Sequence, residues 1–242
     1  MAINSAKELE SLRDDYKKAL NRQYKKVIIC GGTGCVAGGA FDIYDELVSM
    51  VKEKGLLVDI DIEKEDEGIG IKKSGCHGFC EAGPLVRIEP EGYLYIKVKK
   101  EDCEEIVEKT LMNNEPIERL MYKEEGKTYQ VQEEIPFYKG QTRMVLEHCG
   151  HLDSEAIGEY LVYDGYKALE KVLTEMTPKE VCQEIKDANL RGRGGGGFPA
   201  GIKWEQVLGY ESDKKYIICN GDEGDPGAFM DRSIMEGDPH AV

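Results

Sequence analysis

Apolar residues recur with two different spacings over the first 112 positions of the chain. Steps of three and four residues are typical of amphipathic helices, whereas alternation or a short unbroken apolar run is typical of strands. The predicted elements are a helix over 6–22, a strand over 27–29, a helix over 40–54, a strand over 57–62, a hairpin of strands over 85–88 and 93–98, and a helix over 101–112. This order predicts an α/β sandwich of about a hundred residues, large enough to fold alone.

The pattern weakens after residue 112. Residues 113–140 are charged, contain proline and glycine and have no sustained period, which predicts a linker. The elements predicted beyond it are short helices over 154–160, 165–174 and 178–188 and a strand over 215–219. We therefore predict a domain over 1–112, a linker over 113–140 and the first part of a second α/β domain over 141–242. The pattern predicts no further helix after the last strand to close that domain, so we expect the fold to continue beyond residue 242.

Composition and charge narrow the classes of function. Of the 242 residues, 40% are hydrophobic and 33% are charged, which is typical of a globular protein. Acidic residues outnumber basic ones by 47 to 32, and the net charge of −15 would repel nucleic acid over most of the surface. No apolar run approaches the ~18 residues of a membrane span, and the charged start does not resemble a signal peptide. We expect a cytoplasmic protein with soluble partners, no nucleic-acid partner and no membrane span.

Four of the eight cysteines form two closely spaced pairs. Cys30 and Cys35 have four residues between them, Cys76 and Cys80 have three, and glycines flank both pairs. Disulfides are rare in a reducing compartment, so a metal or cluster is the expected role. A [2Fe–2S] cluster takes two thiolates on each iron and is stabilised by backbone N–H donors, which glycine-rich turns can supply. The pattern favours such a cluster on these four residues.

Other interpretations of the cysteines compete with this one. A structural zinc site more usually has two residues between the members of each pair. A thiol–disulfide enzyme needs Cys-x-x-Cys at the start of a helix, which the sequence lacks. Cysteines that bind nothing are not expected in two glycine-flanked pairs. The remaining cysteines have no neighbour at ligand spacing and are expected to pack as small apolar residues: Cys103, Cys149, Cys182 and Cys219.

A glycine-rich loop follows the last predicted helix. The stretch Arg191–Gly201 contains six glycines in eleven residues, so its backbone amides can lie along a phosphate or a flat ring. A flexible linker is the alternative. The G-x-G-x-x-G match at Gly192–Gly197 is a weak dinucleotide signal by itself, because the residues before it predict a helix instead of a strand.

An acidic turn follows the last predicted strand, where α/β folds commonly bind ligands. Asn220 can both donate and accept hydrogen bonds to a flavin. Asp222, Glu223 and Asp225 can accept hydrogen bonds from sugar hydroxyls or a carboxamide. A calcium-binding loop or a solvated turn would show the same composition.

These motifs resemble two known families. The cysteine pattern within an α-β-α-β-β-β-α unit resembles the thioredoxin-like [2Fe–2S] ferredoxin domain over residues 5–112. RGRGGGGFPAGIKW and CNGDEGDPGAFMDR, preceded by FYKGQTRMVLEHCGHLD, resemble the FMN- and NADH-binding flavoprotein subunit of complex I and the diaphorase subunits of NAD-linked and electron-bifurcating [FeFe]-hydrogenases over 137–242. That family continues into further domains, so the resemblance implies a truncated chain with [4Fe–4S] clusters expected in the missing C-terminal part.

The second resemblance implies roles for individual residues. The loop borders the flavin and the nucleotide, Phe198 stacks on the NADH adenine, and Lys203 hydrogen-bonds FMN together with Asn220 and Asp222. Glu223 and Asp225 lie near the nicotinamide, and no side chain acts as an acid or base because the chemistry is that of the flavin. The implied cofactor-binding loop residues are Gly192, Arg193, Gly194, Gly195, Gly196 and Gly197.

The resemblance implies an oxidoreductase subunit in which NAD(H) exchanges a hydride with FMN and single electrons pass through iron–sulfur clusters. A fused ferredoxin domain resembles the hydrogenase-type subunit, so a hydrogenase is the expected partner, and electron bifurcation with ferredoxin is a further option. The alternatives are a diaphorase of a formate dehydrogenase or respiratory complex I, or an electron-carrier or assembly module that has a [2Fe–2S] cluster and no catalysis of its own.

Overall fold

The computed structural model describes residues 3–242, which divide into two compact units. The larger unit consists of Leu9–Tyr163 and Gly221–Val242. The smaller unit consists of Asp164–Asn220 together with the N-terminal residues up to Glu8. Among the described residues, no helix is both long enough and apolar enough to cross a membrane.

A four-stranded mixed sheet with the strand order β2-β1-β3-β4 forms the centre of the larger unit. Strands β1 and β2 are parallel, whereas β3 is antiparallel to both β1 and β4. The strands are β1 (Gln23–Cys30), β2 (Gly68–Ser74), β3 (Val86–Glu89) and β4 (Tyr93–Tyr95). The helices that accompany them are α1 (Ala6–Asn21), α2 (Thr33–Ala37) and α3 (Ala40–Glu53). The helices predicted over 6–22 and 40–54 and the predicted hairpin therefore form where the periodicity placed them.

The core lies between α3 and the sheet. Helix α3 buries Ile43, Leu47 and Val51, which recur at steps of four and so form one apolar stripe. Strand β1 is buried along most of its length because it is the inner strand between β2 and β3. Burying a side chain of this size contributes about 1.5–3 kcal/mol, so the helix face and the inner strand together hold the unit folded.

The second strand differs from the prediction. Over 57–62 the structure has only an isolated bridge at Leu57, and the parallel partner of β1 is β2, which begins eleven residues further on at Gly68. The alternation over 57–62 contains aspartates that remain at the surface. Gly70 of β2 allows the Gln23 side chain to lie against it, because a Cβ there would come within 2.3 Å of that side chain. Two glycines in β2 interrupt the apolar alternation, so the sequence pattern did not predict this strand.

The helix predicted over 101–112 forms as three consecutive pieces. A 3₁₀ turn over Lys100–Asp102 leads into α4 (Cys103–Glu105), which continues as a π-helical turn over Ile106–Leu111. The apolar residues Cys103, Ile106 and Leu111 are buried in the same core as the sheet.

The stretch predicted as a linker packs against the sheet instead of spanning open solvent. It contains a small hairpin of β5 (Tyr122–Glu124) and β6 (Lys127–Tyr129) and a short helix α5 (Pro136–Lys139). Ile117, Leu120, Met121 and Ile135 lie in the main core. Backbone bonds from Leu94 N–H to the Gln130 carbonyl (3.1 Å) and from Ile96 N–H to the Leu120 carbonyl (2.7 Å) cover the outer edge of β4. An exposed strand edge needs such a cover, and this need is not visible in local periodicity.

Two short helices complete the larger unit, α6 (Ile157–Val162) and α10 (Met230–Gly237). Helix α6 approaches α1 closely at Gly158, where a Cβ would come within 2.4 Å of the Tyr16 ring. Glu159 of α6 is fully buried and pairs with Lys72 of β2 at 2.7 Å. The segment after the predicted linker is thereby fixed to the sheet.

The smaller unit is helical. It contains α7 (Lys167–Glu175), α8 (Pro178–Asp187) and α9 (Ala200–Gly209), close to the positions that the pattern predicted for the first two. The strand predicted over 215–219 does not form: no strand within residues 3–242 pairs with this stretch, and Ile217 is fully exposed. A strand needs a neighbour to satisfy its N–H and carbonyl groups, so the apolar run alone does not produce one.

Candidate metal centre and glycine loop

The two cysteine turns lie at the same edge of the sheet. Cys30 is the last residue of β1, and Cys76 follows the end of β2, the parallel neighbour of β1. The Gly31 N–H donates to the Ser74 carbonyl at 2.9 Å, which joins the starts of both turns. The other member of each pair comes shortly afterwards, Cys35 in α2 and Cys80 at the start of a 3₁₀ turn. Parallel pairing therefore brings together two sequence pairs that lie forty residues apart.

The four thiols lie close enough to shift one another's pKa. Cys30 is within hydrogen-bond reach of Cys35 and Cys76, and Cys76 is within reach of Cys80. The hydrogen bond with Cys35, together with burial, raises the pKa of Cys30 to about 11, and the same contact lowers the pKa of Cys35. The hydrogen bond with Cys30 and burial raise the pKa of Cys76, and burial raises the pKa of Cys80. Cys30 and Cys35 are buried and Cys80 is exposed, so the group is closed on one side and open on the other.

Glycines leave room for the sulfurs. A Cβ at Gly32 would lie 2.8 Å from the Cys76 Sγ, and one at Gly83 would lie 2.7 Å from the Cys35 Sγ. Both distances are too short for any real side chain, although the backbone of Gly32 and Gly83 is in ordinary extended conformation. Glycine is required at these two positions because a sulfur occupies the place of a side chain.

Two successive backbone amides face the sulfurs. The His77 N–H donates to the Cys30 Sγ at 3.5 Å, and the Gly78 N–H donates to the Cys76 Sγ at 3.4 Å. Gly78 has a φ of +83°, which side chains rarely allow. Four thiols, close glycines and aimed N–H donors fit a [2Fe–2S] cluster, whose sulfurs carry negative charge that N–H groups stabilise. Within residues 3–242, no three side chains of metal-binding type share a point suited to one metal ion.

The other cysteines behave differently from one another. Cys103, Cys149 and Cys182 are buried, as expected for small apolar residues, whereas Cys219 is exposed. Burial raises the pKa of Cys103 to about 12 and that of Cys149 to about 11, so both remain protonated near neutral pH.

Sequence reasoning did not single out His77 and Arg143. The His77 ring is completely buried, its Nε2 lies 2.8 Å from the Ser74 Oγ, and burial lowers the pKa of His77 to about 3. The Arg143 Nη2 donates to the His77 carbonyl at 2.6 Å. The position of His77 between two ligand-spaced cysteines could have drawn attention to it. Nothing in the local sequence connects Arg143 to the cysteine turns.

A cavity of about 1070 Å³ opens beside the cysteine turns within the larger unit. The first turn lines one side with every residue of 31–37 except Cys35, together with Cys76 and Cys80. Residues that follow the acidic turn, among them Phe229 and Arg232, line the other side. The exposed side of the thiol group therefore faces open space.

The glycine loop lies in the smaller unit between α8 and α9. The Gly192 N–H donates to the Phe198 carbonyl at 2.9 Å and closes the loop. A Cβ at Gly194, Gly195 or Gly196 would meet nothing within 4 Å, so the backbone of this stretch is open for a ligand to approach. The helix that precedes the loop confirms that it is not the turn of a strand–helix nucleotide fold.

Phe198 and Lys203 lie together at the end of the loop. The Lys203 Nζ is 5.7 Å from the centre of the Phe198 ring, within cation–π distance. The Arg193 side chain folds back and donates from Nη1 to the Arg191 carbonyl at 2.6 Å. Phe198 is 46% exposed, so part of its side chain is accessible to a ligand.

The acidic turn spans the boundary between the units: Asn220 ends the smaller unit, and the acidic residues belong to the larger one. The Glu223 Oε1 accepts the Asp231 N–H at 2.8 Å and so caps the first turn of α10, where negative charge is favourable. The Asp225 carbonyl accepts the Ala228 N–H at 3.0 Å. Gly221 is tight, because a Cβ there would lie 2.5 Å from the end of Met235.

Two segments of the chain match family models. Residues 15–111 match the thioredoxin-like [2Fe-2S] ferredoxin model, and residues 185–242 match the Nuo51 FMN-binding domain model. These segments fall within the stretches on which the two resemblances rest. The matches confirm both resemblances and the predicted α/β fold class.

Curated relatives and a solved structure are similar to parts of the chain. Subunit HndC of the NADP-reducing hydrogenase of Solidesulfovibrio fructosivorans is 55% identical over 104 residues, which are 43% of this chain and 21% of that protein. A subunit of the NADH-quinone oxidoreductase of Rhizobium meliloti is 51% identical over 90 residues, 37% of this chain and 21% of that protein. The thioredoxin-like [2Fe-2S] ferredoxin of Aquifex aeolicus, a crystal structure, is 29% identical, with 42% of this chain and 99% of that chain covered and a TM-score of 0.34. The chain spans about a fifth of the length of the curated relatives it matches.

Proposed function

We propose that this chain, which joins a thioredoxin-like [2Fe–2S] ferredoxin domain to a Nuo51-type FMN-binding segment, belongs to an NADH-oxidising flavoprotein subunit that passes electrons to an iron–sulfur centre. The observation that carries the proposal is the convergence of four thiols from two turns in a chain that also has a flavin-type glycine loop. When bound, the flavin supplies hydride acceptance, and the cluster supplies one-electron transfer.

The cysteine turns would hold the cluster. Cys30, Cys35, Cys76 and Cys80 are the proposed ligands, two from each turn. The protein fixes four sulfurs at one edge of the sheet and directs amide donors at two of them. The absence of side chains at Gly32 and Gly83 leaves room for the sulfurs. Burial on the side of Cys30 and Cys35 excludes water from half of the centre.

The glycine loop and the acidic turn each offer groups that suit the flavin and the nucleotide. Open backbone over Gly194–Gly196 suits a phosphate or a ring, Gly192 and Gly197 complete the loop, and Arg193 adds a positive charge. Phe198 is the proposed stacking partner of the adenine, and Lys203 is a proposed hydrogen-bond donor to FMN. The proposed polar partners in the acidic turn are Asn220 and Asp222 for FMN and Glu223 and Asp225 for the nicotinamide.

The relatives suggest what surrounds such a subunit. One is a subunit of a hydrogenase and another a subunit of an NADH-quinone oxidoreductase, so other subunits of a similar assembly are the proposed partners. The fused ferredoxin domain favours a hydrogenase partner. We also propose [4Fe–4S] clusters elsewhere in the complete protein, a cytoplasmic location and, as a finer option, electron bifurcation with ferredoxin.

Metal analysis of the anaerobically purified chain tests the cluster. We expect about two irons and two sulfides per chain, lost in Cys30→Ser and in Cys80→Ser. Cys219→Ser is the matched control, because this cysteine is exposed and should leave the iron content unchanged. Zinc in place of iron would refute the proposed centre.

A second candidate function is an electron-carrier module without its own catalysis. The exposure of Tyr216, Ile217 and Ile218 favours it, because an apolar stretch that borders a bound flavin should be covered. FMN titration and NADH-dependent dye reduction by the same chain separate the two candidates. Flavin uptake that is weakened in Lys203→Ala and unchanged in Lys171→Ala supports the flavoprotein, whereas a cluster without flavin uptake supports the carrier.

A further inference from the structure

One peptide group lies between the cysteine turns and a distant arginine. The peptide that joins His77 to Gly78 donates its N–H to the Cys76 Sγ at 3.4 Å. Its carbonyl accepts from the Arg143 Nη2 at 2.6 Å. The N–H of the preceding peptide donates to the Cys30 Sγ at 3.5 Å. Two adjacent amides thus contact one sulfur from each turn, and Arg143 holds the outer end of the second amide.

The carbonyl bond fixes the direction of the N–H. In a planar trans peptide the C=O and N–H point in opposite directions, so a group that anchors the oxygen also aims the hydrogen. The left-handed conformation of Gly78, with φ +83°, leaves this peptide free to rotate unless something holds it. A charged donor on the carbonyl also polarises the peptide and strengthens the N–H as a donor.

Arg143 is itself held in place. Its guanidinium carbon lies 5.2 Å from the centre of the Tyr138 ring, and its Nε donates to the Gln141 Oε1 at 3.3 Å. The carbonyl that it contacts belongs to a completely buried residue, and the Ser74 hydroxyl fixes the His77 ring from the other side. Within the described residues, no carboxylate forms an ion pair with Arg143, so its charge is not neutralised there.

We propose that Arg143 is a positioning residue for the iron–sulfur centre: it aims the His77–Gly78 amide at the Cys76 sulfur and its charge favours the reduced centre. The inference rests on the proposed ligation by the four cysteines. Reduction adds one negative charge to the centre, and both an aimed N–H donor and a nearby cation stabilise that charge. Arg143 therefore raises the reduction potential, and its removal lowers it.

Redox titration of the full chain, monitored by electron paramagnetic resonance with dithionite as reductant, tests the proposal. In Arg143→Gln the reduction equilibrium constant should fall about tenfold, which is ~59 mV for a one-electron couple. Arg143→Lys keeps the charge but not the planar fork, so its potential should lie between those of the parent and Arg143→Gln. Arg119→Gln is the matched control, because that guanidinium contacts the carboxylates of Asp102 and Glu105.

A second readout separates aiming from general support of the fold. Electron–nuclear double resonance identifies exchangeable protons close to the reduced centre as those whose signals disappear after exchange into deuterated water. Arg143→Gln should weaken one such proton signal, whereas Arg119→Gln should not change it.

The outcomes distinguish this inference from the proposed function. A parent chain without iron would overturn both. A parent and an Arg143→Gln variant with equal iron content and equal potential would overturn the role of Arg143 and leave the cluster in place. If Arg143→Gln does not retain iron, the Arg143→Lys variant decides. A reduction equilibrium constant about threefold or more below that of the parent supports the role of Arg143. An unchanged constant together with an unchanged proton signal overturns it.

Discussion

Breaking the buried ion pair between Lys72 and Glu159 should strongly destabilise the larger unit. The Lys72 Nζ lies 2.7 Å from the Glu159 Oε2, and the two side chains are 6% and 0% exposed. The Asp153 N–H also donates to this carboxylate at 2.9 Å. Burial and the nearby charge of Lys72 lower the pKa of Lys26, so Glu159 offsets the charge of a second lysine as well. We predict that Glu159→Gln destabilises the unit by about 3–5 kcal/mol, because it leaves a buried charge without a partner.

Urea unfolding followed by circular dichroism measures this loss. A change of about 3–5 kcal/mol is a large part of the 5–15 kcal/mol that stabilise a typical domain, so the midpoint should fall by more than 1 M urea. Lys18→Met is the matched control: Lys18 pairs with Asp15 at a similar distance of 2.9 Å but is 74% exposed, and its removal should leave the midpoint unchanged.

The double variant Lys72→Met with Glu159→Gln tests the cause. It removes both charges and retains an oxygen for the Asp153 N–H, so we expect it to recover to within about 1 kcal/mol of the parent. If Glu159→Gln alone cost less than ~1 kcal/mol, or if the double variant were as unstable as the single one, the electrostatic reasoning would be wrong.

Three further predictions concern the cysteine turns, the core and the helix before the glycine loop. Gly83→Ala should reduce the iron content, because the added Cβ would lie 2.7 Å from the Cys35 Sγ. Gly209→Ala is the control, because a Cβ there meets nothing within 4 Å. Equal iron content in the two variants would contradict the predicted steric clash. Burial raises the pKa of Cys103 to about 12 from an ordinary 9.0, so the folded state loses stability as the pH rises from 9 to 12. Between pH 9 and 11, the free energy of unfolding should fall more steeply in the parent than in Cys103→Ala, by about 1.4 kcal/mol per pH unit. Parallel pH profiles of the two proteins would contradict the assigned shift. Thr177→Ala removes the hydroxyl that accepts the Glu180 N–H at the start of α8. Hydrogen–deuterium exchange measured by mass spectrometry should become about fivefold faster over α8. Unchanged exchange would mean that packing alone stabilises the helix.

Local pattern predicted elements where a stripe or an unbroken run was clear. Helix α3 and strand β1 form where their apolar residues indicated, because a periodic face identifies the side of an element that must be buried. The pattern failed at β2, where Gly68 and Gly70 replace the alternating apolar residues of an ordinary strand. Pairing with β1 determines that strand, and pairing is not a local property.

The sequence also missed the role of residues 113–140. Charge, proline and glycine indicated a linker, but Ile117, Leu120 and Ile135 fill the core and the backbone covers the edge of β4. A few isolated apolar residues carry no period, so their burial depends on the surface that the rest of the fold offers them. The run over 215–219 shows the converse, an apolar stretch that stays exposed without a partner strand.

The sequence by itself determined the chemistry that the chain can offer: two glycine-flanked cysteine pairs, a loop of nearly bare amides and an acidic turn. Residue identity and short spacing carry that information because ligand type and turn conformation are local. Only the tertiary structure decided which groups meet. It brought the two cysteine pairs to one sheet edge, aimed the His77 and Gly78 amides at their sulfurs, and placed Arg143 against the His77 carbonyl from 66 positions away. Such contacts follow from strand pairing and core packing, which depend on the whole fold.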